Sequence, residues 1–146
     1  MSDYEVVHTI TDWYDGARNG VADLNGKPHY YENHWNEGDF FWSDVYLLKP
    51  LNAETFELAM ESWNIYSRWE VARQEGKASV ETSPTLPEER ERYDEIEKIL
   101  AERFVVFPET SLQATAEFVY GQPTKVKWRV VEDSIKLRKA FNWKTS

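Results

Sequence analysis

Three histidines and the carboxylates near them are the residues through which this 146-residue chain could do acid–base or metal chemistry. His29 and His34 lie five apart in a segment that reads as extended. An unbroken strand sends them to opposite faces, so they share no metal without a bulge. His8 reaches either one only through cross-strand pairing. Asp12, Asp15 and Asp23 are close in sequence, yet acidic residues beside turns are ordinary. The spacing therefore assigns no metal and no cofactor. Acid–base catalysis needs a titrating group in a pocket, its pKa tuned by burial or a neighbour. Asp15 and His29 in a cleft walled by Trp13 and Tyr31 would supply it, which makes a small hydrolase or lyase the enzymatic alternative. Cysteine chemistry is excluded because the chain has no Cys. No Gly-x-Ser-x-Gly nucleophile elbow occurs, and neither of the Gly-rich phosphate loops is present.

The elements that must position these residues follow from local pattern. Tyr4–Tyr14 is a β-branched and aromatic run and reads as a strand. Asp15-Gly16 and Asn19-Gly20 mark residues 15–20 as a loop, after which Val21–Leu24 is a short strand. Asn25-Gly26 is the strongest turn signal, since both central residues of a type I′ turn need positive φ. Strands resume through Pro28–Tyr31 and Phe40–Leu48. Asn52 is an N-cap for a helix over 53–75, with Gly76 as its stop. That helix carries two apolar stripes. Phe56, Ala59, Met60, Trp63, Tyr66 and Val71 form one, and Leu58, Ile65, Trp69 and Ala72 form the other. An ordinary surface helix needs only one, so Leu58, Ile65 and Trp69 are candidates for a partner surface. A second helix over 87–104, begun by Pro87, is the simplest cover for them, and a homodimer is the alternative. Leu112–Tyr120 and Thr124–Val131 return to strand. In the latter, Lys125, Lys127 and Arg129 alternate with Val126, Trp128 and Val130. Residues 134–146 fit a short helix or an extended tail.

Composition bounds the function classes. Net charge is -9, split as -6 over residues 1–50, -6 over 51–104 and +3 over 105–146. The acidic body repels a phosphate backbone. A nucleic-acid contact through Lys125, Lys127, Arg129 and Trp128 is thus the weakest of three readings. No apolar run approaches a membrane span, and Met1–Glu5 lacks the basic start of a signal peptide, so the expectation is a soluble cytoplasmic protein. Aromatic residues make up 15% of the chain, enough to fill a core or line a ligand site.

Trp13–Tyr31, followed by Trp63–Glu70, resembles a group of small bacterial soluble proteins of unknown function. The likeness implies no activity or substrate and transfers no site residue. Two turn signals in that stretch place Trp13, Asp15, Arg18 and His29 near loop ends, where binding residues concentrate, and with Tyr31 these are the ligand-binding candidates. The sequence thus predicts one α+β domain over 1–146, an antiparallel sheet built from N- and C-terminal strands and covered on one face by two helices. The leading function is non-catalytic, the aromatic-rich surface binding a protein partner or a small ligand.

Overall fold

A computed structural model describes residues 3–36 and 41–131 of the chain. Six antiparallel strands, β1 (Glu5–Trp13), β2 (Ala17–Leu24), β3 (Lys27–Asn36), β4 (Phe41–Pro50), β5 (Leu112–Val119) and β6 (Lys125–Val130), pair in chain order and close into a barrel. The predicted open sheet covered on one face by helices is overturned by one contact: β6 returns to β1 through Glu5↔Val126 and Val6↔Lys125. Alternation says which face a residue occupies but not which distant strand it meets, and these partners are about 120 residues apart. Residues 134–146 lie outside the described residues.

By Cα proximity the chain divides into two compact units, Met1–Leu51 with Val106–Ser146, and Asn52–Val105. The first is the barrel. Its β2–β3 turn forms as the sequence demands, with Asn25 at φ 55° and Gly26 at φ 75°. The Glu5 carboxylate accepts from both turn amides, at 2.9 and 2.7 Å. Ala17–Leu24 is one strand, so the predicted loop shrinks to residues 14–16. The reason is bulging. The β1–β2 register slips between Val7 and Thr9 and again on either side of Asp12, so Asn19 and Gly20 stay inside a bent ladder.

Gly20 sits at the crossing point. A Cβ there would lie 2.2 Å from the Thr9 carbonyl oxygen and 2.8 Å from the Tyr31 hydroxyl. Through that gap Tyr31 Oη donates to Thr9 O at 3.0 Å. Ala17, Ala22, Leu24, Tyr31, Tyr46, Leu48, Ala114 and Val126 pack together inside, with Phe118 and Trp128 against them. A six-stranded barrel is narrower than the eight-stranded kind whose interior side chains only just fill.

The second unit is a helical hairpin, α1 (Ala53–Gln74) and α2 (Arg90–Arg103), the latter preceded by a 3₁₀ turn at Pro87–Glu89. Asn52 caps α1 by accepting from Thr55 N at 2.8 Å. The buried stripe of α1 is Thr55, Ala59, Ser62, Ile65 and Trp69, drawn from both predicted faces and completed by two hydroxyls. Those hydroxyls are paired across the hairpin: Ser62 Oγ donates to Glu97 Oε1 at 2.7 Å, and Thr55 Oγ1 accepts from Arg103 Nη1 at 2.9 Å. Arg92 bridges to Glu61, and Arg68 to Glu89. No described helix is long and apolar enough to cross a membrane.

Replacing Gly20 with Ala drives a methyl group into the Thr9 carbonyl, and the strand must shift. The expected loss is about 2–4 kcal/mol in urea unfolding, the range of severe overpacking. A Gly20→Ala chain as stable as the parent would refute the close approach.

Candidate functional site

The antiparallel order brings the β1–β2 and β5–β6 connections to the same end of the barrel, and the candidate site is there. Trp13 and Tyr14 are 56% and 65% exposed, and Tyr120 is 46% exposed. Trp13 meets Tyr120 edge to face at 4.8 Å, and Tyr120 stacks on Phe118 at 5.5 Å. Phe118 in turn belongs to a quartet with Tyr31, Tyr46 and Trp128, all six ring-centroid separations lying between 5.6 and 6.0 Å. A continuous aromatic column therefore runs from the buried interior to solvent.

Polar heads on these rings stitch the barrel. Tyr46 Oη donates to Ala17 O at 2.7 Å, and Tyr120 Oη accepts from Ala17 N at 2.9 Å. Trp128 Nε1 donates to Asp23 O at 3.0 Å. With the Tyr31 bond, four aromatic side chains serve backbone groups of β1 and β2, beside the slips in their ladder or next to the strand ends. Buried backbone groups need such partners.

Of the predicted binding residues, the structure brings Trp13, Asp15 and Arg18 together and separates His29 and Tyr31 from them. Asp15 occupies the tight turn at φ 56°. Arg18 is committed to the same turn: Nε donates to Tyr14 O at 2.7 Å, Nη2 to Asp15 O at 2.9 Å, and Nη1 to Asn33 Oδ1 at 2.9 Å. Asn33 Nδ2 continues to Ser43 O and Val45 O at 2.7 and 3.1 Å. Arg18 is thus a strut that fixes the aromatic turn to β3 and β4. Tyr31 is wholly buried in the quartet. His29 is buried on the same face of β3, its Nδ1 2.8 Å from Lys27 O. The register sets Asn19 against Glu32 and Ala22 against His29. Asp15 therefore lies at least five strand residues from the level of His29, on the order of 15 Å along the barrel.

The partner-surface candidates fall elsewhere. Ile65 and Trp69 are 1% and 4% exposed, Leu58 is half-buried, and Trp69 Nε1 donates to Thr82 Oγ1 at 3.0 Å. Trp128 faces the barrel interior, while the register puts Lys125, Lys127 and Arg129 on the outer face. There Lys127 stands opposite Glu117 and 3.8 Å from Asp3. Single-strand stacking on Trp128 beside those cations is not the geometry present.

Sequence reasoning missed three features. Tyr120 and Asn33 carry the aromatic turn, and only tertiary contact reveals them. A third was legible as an i, i+2, i+4 spacing on β3: Tyr30 Oη donates to Glu32 Oε1 at 2.6 Å, and the other Glu32 oxygen meets His34 Nε2. His8 Nε2 lies 2.8 Å from Asp23 Oδ1. Among the described residues no three His, Cys, Asp or Glu side chains converge to hold a metal.

No protein-family model matches this chain, and neither a curated protein nor a solved structure shows significant similarity to it.

The hydroxyls of Tyr30, Tyr31 and Tyr46 are pushed above the ordinary tyrosine value, in each case mainly by burial. Glu32 adds to the shift for Tyr30, and Arg18 partly opposes it for Tyr46. Tyr93 on α2 is pushed up to about 12 by burial and by Glu97. The folded chain keeps protons that an unfolded chain releases near pH 10, so this contribution is whole below about pH 10 and is lost as alkali rises past it. Stability should fall above about pH 10, and tyrosinate absorbance from the barrel should rise only as the barrel unfolds. Full ionisation of these tyrosines in a chain that stays folded would contradict the packing.

Proposed function

We propose that this chain is a non-catalytic binding module whose protein partner or small ligand docks on the aromatic end of the barrel. One observation supports this reading above the others. Two adjacent large aromatics, Trp13 and Tyr14, stand more than half exposed on a turn that Arg18 holds through two carbonyls and ties to Asn33 by a third hydrogen bond. Rings presented on a pinned turn contribute apolar contact without the entropy loss of ordering a loop. Trp and Tyr are also the residue types that dominate binding hot spots. The ring-filled interior argues for contact on the surface of this end, and the spacing of Asp15 from His29 favours binding over catalysis.

The test compares the parent chain with a Trp13→Ala/Tyr14→Ala variant, both immobilised and exposed to extract and to a small-molecule panel. Losing the Trp13–Tyr120 ring pair should cost about 1 kcal/mol of stability, leaving the variant folded. Species retained by the parent should bind the variant at least about tenfold more weakly once purified, a loss of about 1.4 kcal/mol. Equal affinity for the two chains would overturn the assignment of the site.

A further inference from the structure

The ladder between β4 and β5 stops early. It pairs Tyr46↔Ala114, Leu47↔Gln113 and Leu48↔Leu112 and goes no further, whereas β5 pairs with β6 as far as Val119. The β3–β4 register slips between Asn33↔Tyr46 and Trp35↔Trp42, so the irregular stretch of β4 begins where its pairing with β5 ends. Val131 N donates to Gln113 O at 2.8 Å, which sets the alternation: odd residues of β5 bond toward β6 and even residues toward β4. The backbone N–H and C=O of Ala116 and Phe118 therefore point to the β4 side, where the described ladder supplies no pair. A second observation agrees. Ala116 and Phe118 face the barrel interior yet are only half-buried, while Ala114 on the same strand is fully buried.

The geometry points to a docking edge at Ala116–Phe118 that takes a short extended peptide of a partner protein, with an apolar–basic–apolar pattern. Strand addition of this kind uses main-chain hydrogen bonds for affinity and alternate side chains for selection. Peptide residues opposite Ala116 and Phe118 turn inward against the Phe118 and Tyr46 rings, so they are apolar. The residue opposite Glu117 turns outward beside an exposed carboxylate, so it is Lys or Arg. A second copy is disfavoured, because antiparallel pairing of two such edges about Glu117 sets like charges against each other. Phe118 links this edge to the aromatic column, but docking here uses the β5 backbone and not the Trp13 and Tyr14 rings, so failure of either proposal leaves the other standing.

The test is residue-resolved amide hydrogen exchange on the full chain, with the capped probe acetyl-Thr-Thr-Val-Lys-Val-Thr-Thr-amide. In the free chain, the Ala116 and Phe118 amides should exchange at least about a hundredfold faster than that of Ala114. Millimolar probe should slow them. Glu117→Lys, a surface change checked by its amide spectrum, should weaken the effect about tenfold and restore it for the probe carrying Glu in place of Lys. Three results would each overturn the proposal: Ala116 and Phe118 as protected as Ala114 in the free chain, no slowing by either probe, or slowing indifferent to the charge swap.

Discussion

The bent β1–β2 ribbon is bonded at its backbone by aromatic side chains that reach it from across the barrel. Thr9, Ala17 and Asp23 supply the groups, and Tyr31, Tyr46, Tyr120 and Trp128 reach them from β3, β4, the β5–β6 connection and β6. Three of these rings do two jobs: the bodies of Tyr31, Tyr46 and Trp128 pack in the barrel interior, and their polar tips make backbone hydrogen bonds, while Tyr120 does the second from the rim. Among the described residues the β1–β6 seam has two register pairs and one further bond from Val7 N to Thr124 O, so the cross-barrel bonds add to a short seam. Gly20 belongs to the same device, since only a residue without Cβ lets Tyr31 pass.

A ring-filled interior leaves the rim and the edge as the surfaces on which the proposed recognition rests. At the rim the column continues outward through Phe118, Tyr120 and Trp13, so an exposed indole rests on packed rings and not on a loose loop. Arg18 reinforces it by holding two carbonyls of the turn and the Asn33 amide oxygen. A guanidinium used in this way has few donors left for an anion, so the rim offers ring faces and the Asp15 carboxylate in place of a cationic pocket. Along β4, the slip beside Asn33 lies where the described β4–β5 ladder ends.

Much of the local structure was legible in the residues. Asn25-Gly26 gave its turn, Asn52 its cap, and the Lys125–Val130 alternation its two faces. Six strands and two helices lie close to where the pattern sets them. Closure was not legible, because pairing Glu5 with Val126 is a long-range choice that many alternating strands could make. The covered face of α1 includes Ile65 and Trp69 as the pattern predicts, but Thr55 and Ser62 complete it for a reason apolar periodicity does not show: they count as polar in sequence yet are buried with partners. At the candidate site, turn signals point to Trp13, Asp15 and Arg18, which the fold keeps on one turn. Tyr120 was invisible because its role depends on a backbone amide 103 residues away. His29 was drawn into the same group by proximity in sequence, whereas the strand carries it down the barrel.

The most direct measurement of the central claim is the unfolding free energy of a Tyr46→Phe chain. That change keeps the ring and deletes only the hydroxyl that serves Ala17 O. If cross-barrel aromatic tips complete the backbone bonding, stability should fall by about 1–3 kcal/mol, the cost of a buried carbonyl left without its donor. A Tyr46→Phe chain as stable as the parent, or more so, would show that the barrel closes on ring packing alone.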